Sequence, residues 1–390
     1  MQEALGIVFS DIHEWSIGDL TANRTVAAIP FAGRYWLIDF VLSNMINSGI
    51  HKVGVITKSN YQPLMEHIGS GKDWDLSRKN GGIAVLPPYG ESGISGLYRG
   101  RLDALTRILN YISNSSQEFV VMSDCDMIYN INYKNVIDFH IKSDADITAV
   151  YNRRYIDKDN AAHSILYTLA GDTDDGNNNK NNINIINNRV TEVYINPWYI
   201  EGGTFNVSMN TWVMNKEYML VMIANAIANG KTHFTRDILL AEVNNINIVG
   251  YEHKGYCAHI NSVNNYFRYN MEMLENDRRN ELFYNTGRNF YTKVRDSEPT
   301  RYGENANIKN ALIADGCVID GIVENSVVFR GTRIGRNTEL KNCIVMQDTI
   351  IGEDCRLEWI ITDKSVVITD GKRLMADREY LMYITKNKRI

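Results

Sequence analysis

The sequence predicts a two-part α/β protein: a domain built on a mostly parallel sheet with helices on its faces, followed by a parallel β-helix of hexapeptide repeats. Two observations carry that prediction. Through the first 150 residues, short apolar runs alternate with amphipathic stretches, at 4–9, 37–48, 52–57 and 61–68, the rhythm of strands and crossover helices. In the last third the period changes. Apolar residues recur at Leu312, Val318, Val323, Val328, Ile334, Leu340, Val345, Ile351 and Leu357, in steps of five or six, as expected of coils with three short sides.

The elements follow in order. The run at 4–9 is a buried strand. Gly49 sits where the left-handed cap of a helix over 37–48 belongs, and Val53, Val55 and Ile56 open the next strand. A helix is expected over 102–112 and a buried strand over 119–122, ending in Ser123-Asp124-Cys125-Asp126. Ligands of open parallel sheets bind beyond the carboxyl ends of strands, so these acids stand where chemistry is done. Of the two, Asp124 reads as a polar loop residue. Eight Asn between Asp172 and Asn188 offer little apolar area to offset ordering, so an exposed connecting loop is expected there. Further on, Thr332, Ile334, Gly335, Leu340 and Ile344 each recur 17 residues later. The expected organisation is an α/β domain over 1–275, a linker over 276–307 and a β-helix with C-terminal tail over 308–390.

Composition narrows the function. With 44% hydrophobic and 22% charged residues in a chain of 390, the protein has the make-up of a folded globular chain. Forty-one Lys plus Arg against 46 Asp plus Glu give a net charge of −5, which attracts neither nucleic acid nor an anionic membrane. No segment reaches the apolar length of a membrane span. The five cysteines, Cys125, Cys257, Cys317, Cys343 and Cys355, form no CxxC pair and read as reduced core thiols of a cytoplasmic protein.

Particular segments sharpen the picture. Pro30-Phe31-Ala32-Gly33-Arg34-Tyr35-Trp36-Leu37-Ile38-Asp39-Phe40-Val41-Leu42-Ser43-Asn44 and Ile46-Asn47-Ser48-Gly49-Ile50 resemble the PFGGKYRLIDFVLSN…INSGI pattern of the ADP-glucose pyrophosphorylase (glucose-1-phosphate adenylyltransferase) family. Leu97-Tyr98-Arg99-Gly100…Asp103-Ala104 is similar to its WYRGTADA, and Asp126-Met127-Ile128-Tyr129 to its GDHIY. The match runs in order along the chain. It implies a Rossmann-like nucleotidyltransferase (GT-A-like) domain with a mostly parallel mixed sheet, then a left-handed parallel β-helix. It also implies ADP-glucose synthesis from ATP and glucose 1-phosphate, with Mg²⁺, in bacterial glycogen biosynthesis.

Such a reaction joins two phosphate compounds and needs positive charge and exposed N–H groups to offset their repulsion. Here the sequence departs from the family. Asp11, Ile12, His13, Glu14, Trp15 and Ser16 occupy the place of the loop GGxGTR, so side chains and two carboxylates stand where glycines would admit phosphate. Two unit charges about 4 Å apart interact by about 1 kcal/mol even in water. By the same alignment the loop Arg is Ser16, the Lys of RAKP is Val26, the Lys of EKP is Asn196, and a metal-binding Asp of WRDVGT is His259. Asp126 remains as a vestigial metal ligand, and one carboxylate holds Mg²⁺ weakly without substrate phosphates. Arg101 and Leu102 replace the Thr and Ala of GTADA, adding bulk where nucleotide would pass.

Tyr98, Gly100 and Asp103 outline a vestigial pocket wall, or else cap and pack the helix that follows. His13 and His259 read as ordinary hydrogen-bonding residues. Arg24, with Lys386 near the C-terminus, matches positions at which the family binds sugar-phosphate effectors. The pattern resembles the GlgD-type regulatory subunit of the family, non-catalytic or weakly active, in a heterotetramer with a catalytic subunit. Three other readings stand beside it: an active nucleotidyltransferase with a rewired phosphate loop, an acyltransferase centred on the β-helix, and a sensor that binds ligand without turnover.

Overall fold

The computed structural model describes residues 3–11, 17–88, 98–156, 161, 163–173, 188–198, 200–284 and 287–390. Two compact units emerge: Met1–Glu14 with Val41–Cys257, and Trp15–Phe40 with Ala258–Ile390. This division differs from the expected boundary at 275. The segment 17–40 and residues 258–275 belong with the β-helix, through side-chain contacts given below. The Asn-rich tract falls mostly at 174–187, outside the described residues.

In the first unit the strands of the main sheet are β1 (Ala4–Phe9), β2 (Lys52–Ile56), β3 (Gly82–Leu86), β4 (Phe119–Asp124), β5 (Ile147–Ile156), β6 (Ile165–Leu169), β7 (Val190–Ile195), β8 (Gly203–Asn215) and β9 (Ile248–Glu252). Among the described residues they form one sheet in the order β7-β6-β8-β4-β1-β2-β3, with β5 joining β8 to β9. The stretch β4-β1-β2-β3 is parallel. Beyond it, β8 runs antiparallel to β4, β5 and β6.

Two expected elements change shape. The strand at 119–122 continues through Ser123 and Asp124, because both neighbouring strands run on beside it, Phe9 pairing with Asp124 and Thr211 with Ser123. The helix at 102–112 is two pieces, Arg101–Arg107 and Leu109–Ser113, since Ile108 leaves helical geometry at φ −106°, ψ 16° while its side chain stays in the core. Leu5, Ile7, Phe9, Met122, Trp212 and Phe234 belong to that core. Helix Tyr133–Lys142 is capped by the Asn132 side chain, which accepts from the Lys134 N–H.

The β-helix of the second unit turns the sequence repeat into register. Ile334 pairs with Ile351, Leu340 with Leu357 and Ile344 with Ile361, so residues 17 apart are ladder neighbours. One coil is shorter: Val318 pairs with Arg333, and Ile308 with Val323. The predicted inward positions Leu312 and Val318 are each one residue early. Val318 is exposed, whereas Ile313 and Ile319 pack with the β-helix core. Both neighbours in each pair are apolar, so the pattern alone does not choose, and a one-residue slip reverses the face. Glycine recurs at 335 and 352 for want of space. A Cβ on Gly335 would stand 2.5 Å from the Gly352 carbonyl oxygen, and one on Gly352 would strike Asp370. At the coil corners Asn310, Asn325, Asn342 and Trp359 have positive φ, which Asn tolerates and Trp rarely adopts. Trp359 packs on Phe267, with ring centroids 5.7 Å apart.

Segment 17–40 is anchored inside this unit. Ala32, at φ 48°, donates its N–H to the Asn270 side chain at 2.9 Å. Phe40 packs with Tyr35, Phe283 and Phe290. The expected linker therefore begins with an ordered helix, Asn276–Phe283, whose last ring stacks on Tyr35. All five cysteines are free thiols. Among the described residues no helix is long and apolar enough to cross a membrane.

Gly335→Ala is expected to destabilise the second unit by about 1–3 kcal/mol in chemical denaturation, because backbone has to shift; a loss under about 0.5 kcal/mol would contradict the close approach. His140 is buried and bonded to Thr148 Oγ1, and burial holds its pKa down to about 4. The unfolded chain takes up that proton near pH 6.5, so stability is present above 6.5 and declines as pH falls toward 4. Between pH 7 and 5 the loss through this group is about 2 kcal/mol, and His140→Gln flattens the slope in urea titrations at the two pH values.

Candidate functional site

The parallel part of the first unit ends at Phe9 on β1 and Asp124 on β4, paired in register. Asp124 is 2% exposed, so it is a buried strand residue rather than the polar loop residue expected. Its partner is Arg101, the first residue of its helix and 8% exposed. Nε donates to Oδ1 at 3.1 Å while Nη2 donates to Oδ2. The same guanidinium lies 5.2 Å from the Trp212 ring centroid, and Trp212 meets Phe234 edge-on. Burial opposes the charge on Arg101, but Asp124, helped by Asp126, raises its pKa above the ordinary arginine value. A lone buried acid is costly in an apolar strand end, and that rule, applied to Asp124, is the signal that points to a cation nearby.

Asp126 is also 2% exposed. Its two oxygens accept from Asn210 Nδ2 at 3.1 and 3.5 Å. Asn210 sits at φ 49° where the register of β8 shifts between Ser208 and Thr211, a bulge that sequence reading does not reveal. Beside these acids Tyr129 bonds Thr211 at 2.6 Å and Tyr133 at 3.1 Å, and Ser123 bonds Thr211 at 3.2 Å. Burial raises the Tyr129 hydroxyl well above its ordinary pKa, and it pushes the Cys257 thiol up to about 11. These groups are a packed hydroxyl network rather than a poised nucleophile and base.

The expected pocket wall is largely helix-start architecture. Gly100 is extended, and a Cβ there would lie 2.5 Å from the Thr232 carbonyl oxygen. Asp103 accepts from the Arg99 N–H at 2.9 Å and pairs with Arg99 and Arg107. Tyr98 is buried under the Arg107 guanidinium. Asn196 turns with φ 49° just past β7, its N–H donating to the Ser164 carbonyl. Ser16, with 12–15, lies outside the described residues.

The remaining positions belong to the second unit. Val26 is buried in a short 3₁₀ turn, and His259 is buried at the end of strand Cys257–His259. Arg24 is buried and bound to both oxygens of Asp363, which also accepts from the Tyr383 hydroxyl at 2.8 Å and the Lys364 N–H at 2.7 Å. Lys386 is exposed. Lys364 has its Nζ 4.2 Å from the Trp36 ring centroid, and burial, then the Arg24 charge, lowers its pKa to about 7. Among the described residues no group of three or more His, Cys, Asp or Glu is arranged to hold a metal. At the strand ends of the first unit Asp126 is engaged by the Asn210 amide and Asp124 by Arg101, which does not fit a two-carboxylate Mg²⁺ centre.

Comparison with known proteins accounts for this frame. The family described as "Nucleotidyl transferase" matches residues 17–162, and "GlmU-like, C-terminal hexapeptide" matches 294–380. The chain is 34% identical over 391 residues to the glycogen biosynthesis protein GlgD of Bacillus subtilis (strain 168), covering 98% of this chain and 96% of that protein. The chain belongs to the glucose-1-phosphate adenylyltransferase family. Members named glucose-1-phosphate adenylyltransferase are 32% identical in Bacillus mycoides (strain KBAB4), over 90% of this chain and 89% of that protein, and 31% in Pseudothermotoga lettingae, over 86% and 76%. The two family matches bear out the nucleotidyltransferase domain with its mostly parallel sheet and the hexapeptide domain. Mg²⁺ is typical of nucleotidyltransferases.

Arg24→Ala leaves Asp363 charged and buried, so it is expected to destabilise by about 3–5 kcal/mol. Pairing it with Asp363→Leu restores most of the loss. Equal stability of wild type and the single variant in guanidinium melts would rule out the internal pair.

Proposed function

We propose that this chain is a regulatory subunit of glucose-1-phosphate adenylyltransferase, non-catalytic or weakly active alone, that assembles with a catalytic subunit of the same family as a cytoplasmic heterotetramer. The observation that carries the reading is the fate of positive charge. Arg101, the guanidinium at the strand ends, is neutralised by Asp124, while the aligned lysine positions hold a buried Val26 and Asn196. Phosphate transfer needs charge held ready for the substrate. Mg²⁺ is not bound productively on this reading, because Asp126 is the single aligned carboxylate left. The near full-length likeness to GlgD supports the assignment. Coupling between subunits typically amounts to about 1–3 kcal/mol, or roughly 5- to 150-fold in an affinity.

An effector role for Arg24 and Lys386 goes with this proposal in altered form. The Arg24 charge is held by Asp363, so an anionic sugar phosphate would meet Lys386 and, below pH 7, Lys364. Arg154 favours the sensor reading: its Nη1 is buried and makes no hydrogen bond among the described residues, a donor that an anionic ligand would satisfy. A rise in melting temperature with glucose 1-phosphate, lost in Arg154→Met, would support it.

The deciding assay measures ADP-glucose formation by this chain, by a catalytic family member, and by the two mixed, with Mg²⁺ and saturating substrates. Silence of the chain alone and a mixed rate several-fold above that of the catalytic member are expected. Brisk turnover by the chain alone would overturn the proposal in favour of an active transferase using other phosphate contacts.

A further inference from the structure

Arg101 and Asp124 fill a particular place. Asp124 closes the carboxyl end of β4 beside the end of β1, where ligands of open parallel sheets lie. Met122, Trp212 and Asp124 share one face of the sheet, since Met122 pairs with Trp212 and Asp124 is two residues farther on. From that face the Trp212 indole offers a flat surface, backed by Phe234 and fixed by its Nε1–H bond to the Tyr167 hydroxyl at 3.2 Å. The Arg101 guanidinium, itself a flat plate, covers the ring at 5.2 Å. A planar heterocycle stacks on an indole in the same manner.

We propose that the Arg101–Asp124 pair is a built-in stopper that fills the strand-end position and covers the Trp212 ring, so that a planar heterocycle such as a purine nucleoside cannot stack there. The pair explains itself chemically. Asp124 holds Arg101 in place by two hydrogen bonds and opposite charge, Arg101 neutralises Asp124, and neither leaves without stranding the other in a dry site. The stopper is neutral as a whole, so it excludes a ligand by volume and by occupying the stacking surface. This inference rests on the reading that the chain does not turn over nucleotide, but it concerns binding.

The test uses adenosine, which needs no phosphate contacts. In wild-type protein, millimolar adenosine is expected to leave the melting temperature unchanged. In Arg101→Ala/Asp124→Ser, which removes the pair without leaving a charge, adenosine at ten times its dissociation constant is expected to raise it by about 3 °C. Arg101→Lys keeps a cation beside Asp124 but vacates the indole face, and it serves if the double variant does not fold; a shift with adenosine is expected there too. Arg101→Met/Asp124→Leu refills the space with apolar bulk and should show none. Equal shifts in wild type and the opened variants would overturn the stopper, and so would no shift in any of them. Neither result touches the mixed-subunit assay, which decides the regulatory reading separately.

Discussion

A charge taken out of water has to be neutralised where it lies, and that constraint organises both compact units. In each, an Asp accepts a guanidinium through two hydrogen bonds: Asp124 with Arg101 at the end of the parallel strands, and Asp363 with Arg24 beside the β-helix. Such pairs contribute little net stability compared with apolar packing, but they are strongly coupled, and loss of one member is far worse than loss of both. They also fix geometry. Arg101 ties the start of its helix to the sheet, and Arg24 ties segment 17–40 to the last coils, so folding of each unit and the chemistry left available on its surface are settled by the same contacts.

Much of the frame was legible because it follows from periodicity. The β1 run, the helix capped near Gly49 and the 17-residue spacing of the coils are all visible as patterns of apolar side chains, and the ladder pairs Ile334–Ile351 and Leu340–Leu357 follow from the repeat. Where adjacent residues are both apolar, as at Leu312-Ile313 and Val318-Ile319, the pattern does not choose a face. Segment 17–40 was harder still. Its place beside the β-helix depends on Asn270, Asp363 and Phe283, hundreds of residues away in sequence, and nothing local announces those partners.

The site was legible by subtraction. Alignment to a family pattern identifies Val26, Asn196 and His259 as substitutions, but it treats each alone. It does not reveal that Arg101, which replaces a Thr of the pattern, is answered by Asp124, nor that the bulge at Asn210 brings an amide to Asp126. Those relations are spatial, and burial is the physical clue. An acid at the end of a strand such as Phe119–Asp124, flanked by apolar residues, calls for a counter-charge whatever the family.

The regular spacing of the coils has one further meaning. From Arg333 the ladder partners stand 17 positions apart as far as the pair Glu358–Met375, the step lengthening to 22 where Ile361 meets Tyr383, and each coil touches its immediate neighbours alone. An in-frame duplication of seventeen codons would therefore slot a new coil between old ones with every inward side chain still facing inward, whereas a gain of a single codon turns the following strand inside out. The length of this domain is thus the dimension along which a gene could lengthen or shorten the protein with least disturbance, in whole coils at a time.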